Sequence, residues 1–593
     1  MYNGDDDKTI DRKGKTKTML TDRQTNELTG YPSIDKPWLK YYTQEQIKAE
    51  LPKCKIYDYV WDSNKDYQNR IALDYFDRKI TYSQLFDGIE KAAKAFQSQG
   101  VVVGDVVCLL TVTLPEAIYS FYGLNRIGAI SNMIDPRTSV DGIRAYIEEV
   151  KANTIVVIDA AFEKVIEAVN GTDVKHIVII SPSDSLPFPK NMLYKLFKAP
   201  RIKLDNRCMR WDQFIIKGNG QKVTDTHYEP NQCCVIVHTG GTTGTPKGVM
   251  LTNDNLNCSA FQCYNTSIDF QREHNWLDIM PPFIAYGVGN GLHLPLVTGA
   301  EVALIPAFDP DKFDELLIKY KPVHMVGVPS HYEKIVSSPK MKDQDLSYII
   351  APVVGGDSIQ KELEEKVNEF FAGHNCKWNL VKGYGMTEVS AAVSVCVSNE
   401  SNKIGGVGIP FAHTVISIFD TETGEELTYN QKGEICMTGP NTMIGYFNNE
   451  DETNKILRQH EDGLIWVHSG DLGYMDEDGQ LFVEGRIKRM IVRHDGFKVY
   501  PGSIEKAIQR IPSVGACCVV GQDDDAHAQG KVPVAFVVLK GGVKKNASEV
   551  YSEIKNICNV ELPEYAQPVE VNFIDSLPLT PIGKIDYMSL ERN

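Results

Sequence analysis

Short runs of apolar, often β-branched residues alternate with amphipathic stretches through most of the chain. VVCLLTV at 106–112 precedes PEAIYSFYGLNRIG, and TIVVIDA at 154–160 precedes AFEKVIEAV. Strand, helix and strand at this spacing predict crossover connections and a mostly parallel sheet. The apolar runs at 176–181, 233–239 and 324–330 continue the pattern and predict strands buried on both faces.

The pattern changes near residue 405 to alternating segments punctuated by glycine, such as TVISIFD, KGEICMTG and GQLFVEG. These segments predict antiparallel hairpins. After GRIKR at 485–489, the rest of the chain has its own strand and helix pattern and is long enough to fold alone.

The predicted architecture is therefore α/β, with a large N-terminal domain of packed, mostly parallel sheets over 31–487. A small β-barrel-like subdomain occupies about 405–484 of it, and a small mobile α+β domain follows over 488–593. Residues 1–30 hold many charges and few large apolar side chains. Such a segment cannot offset the entropy lost on ordering, so we predict a mobile leader.

The chain has 593 residues, of which 62 are basic and 78 acidic, and a formal charge of −16. This balance argues against a nucleic-acid partner, which requires a cationic surface. The 13 cysteines form no CxxC pair, which favours reduced thiols in a cytoplasmic protein over zinc or disulfide sites.

The sequence also argues against a membrane protein. Its first residues contain no apolar segment typical of a signal peptide. No apolar run approaches the roughly 18 residues of a transmembrane anchor. We also recognise no basic amphipathic helix of the kind that lies on a membrane surface.

The strongest chemical signal is TGGTTGTPKG, Thr239 to Gly248, directly after an apolar strand. Its glycines let backbone N–H groups approach an anion, its threonines add hydroxyl donors, and Lys247 adds positive charge, which together suit a polyphosphate. It is not a Walker A loop, because Pro246 precedes the lysine and Gly248 follows it. The alternative reading is a simple turn rich in glycine and threonine.

From about residue 35 to its end, the chain resembles the adenylate-forming superfamily, which includes acyl-CoA synthetases, aryl-CoA ligases, peptide-synthetase adenylation domains and beetle luciferases. The family's phosphate loop has the form [ST]-[SG]-G-[ST]-T-G-x-P-K-G, which this chain meets at every position. Further motifs follow in the family's order: VGGDS, GYGMTE, HSGDLG, GRIKR and PLTPIGKIDY.

The resemblance implies a nucleotide site. Thr387 would contact the α-phosphate, Glu388 would hold Mg²⁺, and Tyr384 would stack on adenine, while Asp471 would bind the ribose hydroxyls. A carboxylate suits both a hard cation and two vicinal hydroxyls. The full predicted set for ATP or AMP comprises Thr239, Gly240, Gly241, Thr242, Thr243, Gly244, Lys247, Gly355, Gly356, Asp357, Gly383, Tyr384, Gly385, Asp471 and Arg486. Taken singly, these motifs are also typical of turns, helix caps and exposed basic strands.

The resemblance also implies a mobile C-terminal domain. Lys584 would be the catalytic lysine that reaches the carboxylate and the α-phosphate, because the attack of one anion on another needs a cation between them. Lys488 would be the hinge, and Gly496 would line the tunnel for coenzyme A. A lysine near a C-terminus is otherwise usually solvated.

Phe283, Ile284, Tyr286 and Gly383 are the expected lining of the acyl pocket. Relatives that activate α-amino acids carry Asp in the pocket motif, and many fatty-acyl and aryl ligases carry His, where this chain has Ile284. A buried ammonium facing isoleucine would be unpaired. We therefore expect an apolar acid, fatty or aromatic, although Ile284 could equally be a core residue. Asn253, in LTNDN where relatives often have LTHDN, is a second departure.

The implied reaction converts a carboxylic acid and ATP to an acyl-adenylate and pyrophosphate, then transfers the acyl group to coenzyme A. Three alternatives share the motifs: loading of a separate acyl carrier protein, a non-catalytic acyl-adenylate binder, and a light-emitting oxygenase. The intact Lys584, Glu388 and Asp471 argue against the binder.

Overall fold

The computed structural model describes residues 8–10, 16–18, 28–239, 247–495, 497–524, 526–527, 529–541, 546–579 and 585–591. The predicted site residues outside these ranges are Gly240, Gly241, Thr242, Thr243, Gly244, Gly496 and Lys584. Most of the leader predicted over 1–30 also lies outside them, so its mobility stays a prediction.

The strands are numbered in chain order. Those before residue 260 are β1 Lys8–Ile10, β2 Thr16–Thr18, β3 Ile71–Tyr75, β4 Arg78–Thr81, β5 Val106–Leu110, β6 Ile130–Ile134, β7 Thr154–Ile158, β8 His176–Ile180, β9 Cys208–Arg210, β10 Cys233–His238 and β11 Gly248–Thr252. Those of the middle region are β12 Asn275–Asp278, β13 Glu301–Leu304, β14 His324–Gly327, β15 Pro352–Val354, β16 Val381–Tyr384, β17 Ser394–Val395 and β18 Ile409–Pro410. The last are β19 Val415–Phe419, β20 Gly433–Thr438, β21 Gly445–Tyr446, β22 Leu457–Gln459, β23 Ile465–Met475, β24 Leu481–Arg486, β25 Ile491–Val492, β26 Lys498–Val499, β27 Val514–Asp523, β28 Lys531–Leu539 and β29 Glu570–Phe573.

The α-helices alternate with these strands. They are α1 Pro32–Asp35, α2 Gln44–Lys48, α3 Ile56–Asn64, α4 Tyr82–Ser98, α5 Pro115–Arg126, α6 Val140–Glu149, α7 Phe162–Ala168, α8 Pro182–Ser185, α9 Lys190–Phe197, α10 Trp211–Lys217, α11 Asn253–Tyr264, α12 Leu294–Thr298, α13 Phe313–Tyr320, α14 Pro329–Ser337, α15 Lys361–Gly373, α16 Glu450–Ile456, α17 Pro501–Gln509, α18 Ala547–Glu561 and α19 Tyr587–Glu591. Residues Tyr286–His293 form a π-helix.

The first large sheet has the strand order β21-β11-β10-β6-β5-β7-β8-β9. From β10 to β9 every pair is parallel, while β11 and β21 are antiparallel additions at one edge. The strands predicted at 106–112, 154–160, 176–181 and 233–239 all lie in it, and their interior residues are buried. The prediction of parallel strands covered on both faces is confirmed.

The second large sheet has the order β18-β17-β16-β15-β14-β12-β13-β3-β4. Its centre, from β16 to β3, is parallel. The strand predicted at 324–330 ends at Gly327, and α14 begins at Pro329, because proline favours the first turn of a helix. The carboxyl ends of β15 and β16 lead directly into the VGGDS and GYGMTE motifs. Ligands of parallel sheets bind at such ends.

Two smaller units follow. Strands β19, β20, β22, β23 and β24 form an antiparallel sheet, which confirms the predicted hairpins. The C-terminal unit has a sheet of the order β27-β28-β29 and its own apolar core, which includes Ile504, Val519, Val537 and Ile554. Its polar contacts with the larger body include Gln360 to Gln509 at 2.6 Å and Arg510 to Glu362 at 3.2 Å. The exact domain boundaries stay predictions.

Two expectations concern the chain as a whole. All 13 cysteines carry free thiols. None of the described helices has the length and apolarity needed to cross a bilayer.

Candidate active site

The two ends of the predicted phosphate loop meet at the antiparallel pair β10 and β11. His238 lies opposite Gly248, and the Thr239 amide donates a hydrogen bond to the Lys247 carbonyl at 3.0 Å. Gly240 to Gly244 lie between these ends and outside the described residues. The pairing therefore places Thr239 and Lys247 side by side at the base of the loop.

Lys247 belongs to a group of charged residues that lie far apart in sequence. Its ammonium pairs with Glu452 in the first turn of α16 and lies 4.9 Å from the centre of the Tyr446 ring. Hydrogen bonds from Lys247 and Lys455 lower the pKa of Glu452 to about 2. Lys247 is thus paired with a carboxylate whose charged form is favoured by two neighbouring lysines.

Glu388 meets the same tyrosine. The Tyr446 hydroxyl donates to Glu388 Oε1 at 2.7 Å, and the Glu388 side chain is buried. Glu388 lies in a 3-10 turn, Thr387–Val389, that directly follows GYG. Tyr446 therefore contacts both predicted residues: its hydroxyl donates to Glu388, the predicted metal ligand, and Lys247 of the predicted phosphate loop lies over its ring.

The turn that carries Thr387 and Glu388 is tightly folded. Ser390 and Ala391 have φ angles of 58° and 103°, and the chain returns so closely that a Cβ on Gly385 would lie 1.7 Å from the Ala391 carbonyl oxygen. Glycine is therefore required at 385 by the close approach of two backbone segments. Gly383 pairs with Val395 across the β16–β17 hairpin.

The second cluster joins three predicted nucleotide residues. The Tyr384 hydroxyl donates to Asp471 Oδ2 at 2.6 Å, and Arg486 Nε pairs with Asp471 Oδ1 at 2.9 Å. Asp471 and Arg486 are direct partners across β23 and β24. Burial, followed by the Asp471 carboxylate, raises the pKa of Tyr384 well above its usual value, so the phenol remains a donor.

The VGGDS loop adjoins the predicted acyl pocket. The Gly355 amide donates to the Gly327 carbonyl at 3.0 Å, and Gly356 has a φ of 80°. A Cβ on Gly355 would lie 3.5 Å from the Tyr286 hydroxyl oxygen. That oxygen is buried and forms no hydrogen bond with the described residues. Asp357 is exposed and accepts from the Ser358 amide at 2.8 Å.

The segment between β12 and the π-helix carries Phe283, Ile284 and Tyr286. Phe283 is buried, with the Arg137 guanidinium 5.8 Å from its ring centre, and Ile284 packs against the largest apolar cluster. A Cβ on Gly287 would lie 1.8 Å from the Pro281 carbonyl oxygen, so the segment is folded closely on itself. Of the three predicted pocket residues, Tyr286 is therefore the one that lies next to Gly355.

Sequence patterns did not single out two buried polar residues at the ends of β12 and the π-helix. His293 is fully buried, with Nδ1 3.0 Å from the Tyr122 hydroxyl and Nε2 2.9 Å from Asn257 Oδ1, and burial lowers its pKa to about 3. Asp278, at the end of β12, is also buried, which raises its pKa well above its usual value. Burial therefore favours the neutral form of both groups.

The departure at Asn253 has a structural explanation. Its side-chain oxygen accepts hydrogen bonds from the Ile56 amide at 3.1 Å and from Asn125 Nδ2 at 2.7 Å. Asn253 therefore joins α11 to α3 and α5, and within the described residues its side-chain contacts are structural.

The predicted hinge lies between two anchored arginines. Lys488 is in a 3-10 turn, Ile487–Arg489, after β24. Arg489 pairs with Glu505 and lies 4.7 Å from the Tyr587 ring centre. Lys584 lies outside the described residues, but the segments on either side of it, Leu579 and Ile585, form an antiparallel bridge.

The fold and the paired clusters define an adenylate-forming enzyme, and the comparisons agree. The profile of the AMP-binding enzyme family matches residues 60–447, and that of the AMP-binding enzyme C-terminal domain matches residues 503–584. The chain belongs to the AMP-binding enzyme family, and within it is an AMP-forming acid–thiol ligase.

Similar proteins cover almost the whole chain. It is 30% identical over 563 residues to the long-chain-fatty-acid–CoA ligase of Bacillus subtilis (strain 168), covering 93% of this chain and 96% of that protein. It is 29% identical over 548 residues to 4-coumarate–CoA ligase 2 of Nicotiana tabacum, covering 91% and 94%. The crystal structure of ATP-bound MatB from Rhodopseudomonas palustris has the same fold, with a TM-score of 0.77 at 22% identity over 90% of this chain and 98% of that one.

Proposed function

We propose that this ligase activates an apolar carboxylic acid, fatty or aromatic, with ATP and transfers the acyl group to coenzyme A. The observation that carries the proposal is the convergence of Tyr384, Asp471 and Arg486 through hydrogen bonds of 2.6 and 2.9 Å. Such a carboxylate, oriented by a phenol and a guanidinium, suits the two vicinal hydroxyls of a ribose.

The rest of the nucleotide would lie between this cluster and Lys247. Gly355 to Asp357 and Tyr384 would flank the adenine, while Thr239 to Thr243 and Lys247 would hold the β- and γ-phosphates. Lys247 would leave Glu452 for a phosphate, which carries more charge than a carboxylate. Thr387 would donate to the α-phosphate.

The donor set fits Mg²⁺ at Glu388. Glu388 is a buried carboxylate that shares the contact residue Tyr446 with Lys247, and it supplies one hard oxygen. Mg²⁺ commonly combines one or two carboxylates with substrate phosphates. When bound, the ion would neutralise charge on the phosphates. The Tyr446 hydroxyl keeps the Glu388 carboxylate oriented for this role.

Lys584 would complete the first half-reaction. The acid's carboxylate oxygen attacks the α-phosphorus, the bond to pyrophosphate breaks, and the lysine ammonium stabilises the charge that develops between the two anions. Coenzyme A thiolate then attacks the acyl carbon and releases AMP. Rotation about Lys488 would remove Lys584 and bring Gly496 to the site between the two steps.

The choice of an apolar acid rests on the described pocket. Phe283, Ile284 and Tyr286 offer no charge to an amino acid's ammonium group, and burial raises the pKa of the nearby Asp278 carboxyl, which disfavours its charged form. The relatives named above as fatty-acid and 4-coumarate CoA ligases support the same class.

The test is pyrophosphate release from purified protein with ATP, Mg²⁺ and acids of increasing length, with and without aromatic rings, each repeated with coenzyme A. We expect release with apolar acids and a thioester only when coenzyme A is present. Asp471→Asn should abolish it, whereas Asp345→Asn, an exposed residue bonded to Ser347 and Asn375, should not. Release without a coenzyme A thioester would favour an acyl carrier protein as acceptor, and no release with any acid would overturn the proposal.

A further inference from the structure

Helix α9 and the residues just before it display large apolar side chains to solvent. Phe188 and Phe197 are each 79% exposed, and Met192, Leu193 and Leu196 are exposed between them. Lysine and arginine residues alternate with these side chains. We define the basic apolar patch as Phe188, Met192, Leu193, Lys195, Leu196, Phe197, Lys198, Arg201 and Lys203.

The helix is attached to the protein through two of its polar side chains. The Tyr194 hydroxyl donates to Asp159 Oδ1 at 3.2 Å, and Lys190 Nζ donates to Asp77 Oδ2 at 2.8 Å. Met192, Leu193, Leu196 and Phe197 follow an i, i+1, i+4, i+5 spacing, which places them on one face of a helix. No residue of α9 is buried. The apolar side chains are therefore exposed on a helix that Lys190 and Tyr194 hold in place.

The charge of this surface is opposite to that of the protein. The chain carries a net charge of −16, yet residues 190–203 contain Lys190, Lys195, Lys198, Arg201 and Lys203 and no acidic residue. Lys190 is paired with Asp77. For the other four, no ion pair with a described acidic residue is present, so their charges face solvent beside the apolar face.

We propose that the basic apolar patch docks the enzyme on an anionic lipid bilayer. Bulky apolar side chains on one helix face enter the boundary between headgroups and acyl chains, and neighbouring cations attract anionic headgroups. A protein partner would not need this combination, whereas a bilayer supplies both an apolar layer and negative charge. Sequence patterns did not single out this helix, because α9 is short and has Pro187, Pro189 and Pro200 close to its ends.

Two hydrogen bonds lie between the chain just before the patch and the segment that carries the predicted acyl-pocket residues. Ser185, at the end of α8, donates to Glu116 Oε1 at 2.6 Å in the first turn of α5. Thr113, just before that turn, donates to the Met280 carbonyl at 3.3 Å, next to the segment that carries Phe283. If the proposed function holds, the docked enzyme would take its apolar acid from the bilayer into which that acid partitions.

The direct test is co-sedimentation of the full-length protein with vesicles, without ATP or acid. We expect binding to phosphatidylcholine vesicles that contain phosphatidylserine and much less to pure phosphatidylcholine. Phe188→Ser with Phe197→Ser should lower the partition coefficient by at least about tenfold, since each substitution removes a large apolar side chain that would otherwise be buried in the bilayer. Lys195→Glu with Lys198→Glu should lower binding to the anionic vesicles specifically.

The matched controls are Val102→Ser with Val560→Ser, two exposed valines elsewhere, and Lys366→Glu with Lys540→Glu, two lysines elsewhere on the surface. Both should bind like wild type. Equal binding of patch and control variants, or equal binding to both vesicle types, would overturn the proposal. The proposal would also be overturned if, without lipid, the wild-type protein were a dimer and the double phenylalanine variant a monomer, since the patch would then contact a second copy of the chain.

Activity separates this proposal from the proposed function. The patch variants should form a thioester from a water-soluble short acid at the wild-type rate, and lose activity only with acid presented in vesicles. Vesicle binding without any thioester formation would reject the proposed function and retain the docking surface.

Discussion

Substitution of Gly385 by alanine should disable the nucleotide site while leaving the fold largely intact. The new Cβ would lie 1.7 Å from the Ala391 carbonyl oxygen and 2.6 Å from its carbon. Both atoms belong to the backbone, so no side chain can rotate away. The turn that carries Thr387 and Glu388 must move instead.

The size of the effect follows from this geometry. A carbon–oxygen contact needs slightly more than about 3 Å, so the two segments must separate by about 1.5 Å. Overpacking of this kind costs about 1–3 kcal/mol of stability. A misplacement of about 1 Å at a catalytic group can cost about 100-fold in rate, so we expect kcat/KM for adenylation to fall by roughly 100-fold or more.

The assay is carboxylate-dependent ATP–pyrophosphate exchange, and the thermal unfolding midpoint of each variant is measured as well. Gly218→Ala is the matched control, because its Cβ would lie 2.7 Å from the Ala95 backbone nitrogen, in the contact of α10 with α4. It should lose comparable stability but keep its exchange activity. Gly373→Ala, with open space around its Cβ, should change neither. If Gly385→Ala exchanged at a rate close to that of wild type, the close approach of these segments would not position the site.

Three further outcomes are expected. Lys584→Ala should reduce adenylation by about 100-fold or more while thioester formation from supplied acyl-adenylate survives, as measured by single-turnover kinetics; equal loss in both steps would refute its role. Ile284→Ala should raise the ratio of kcat/KM for a bulkier acid to kcat/KM for the best wild-type acid by roughly tenfold, since one methylene is worth about that factor in an apolar pocket. A competition assay measures this ratio, and an unchanged ratio would make Ile284 a core residue. Burial raises the pKa of Glu116 from 4.5 to about 7 in the folded protein. The protonated carboxyl therefore contributes fully to the free energy of unfolding below pH 4.5, and this contribution is lost as the pH rises through 7. Urea unfolding should show that wild type loses about 3 kcal/mol relative to Glu116→Gln between about pH 4 and 8, and a constant difference would contradict the buried carboxyl.

Strands and hairpins with a clear hydrophobic pattern were predictable from sequence, because the burial of each element determines the pattern of its own contiguous residues. The strands near 106, 154, 176 and 233 are runs of apolar residues with no alternation, which is what burial on both faces requires. The hairpins after residue 405 alternate and are bounded by glycines, and the structure confirms them. The candidate nucleotide residues could be named from the sequence as well, because each belongs to a motif that is a short contiguous segment.

The contacts between motifs were not predictable. Tyr446 is 58 positions from Glu388, and Glu452 is 205 positions from Lys247. No local period relates such residues, because their distance depends on how β21 is added to β11 at the sheet edge. Helix α9 was missed for another reason: a length of 8 residues is too short for its apolar spacing to stand out.

The positions of two arginines support a hinge at Lys488. Arg486 is fixed to the larger body, because it pairs with Asp471 and donates to the Ser469 carbonyl at 2.9 Å. Arg489 is fixed to the C-terminal unit, because it pairs with Glu505 and donates to the Val519 carbonyl at 3.0 Å. Only Ile487 and Lys488 separate the two anchors, so a rotation of the C-terminal unit has to be absorbed there. Such a rotation would leave the proposed ribose contact undisturbed while it carries the segment of Lys584 away.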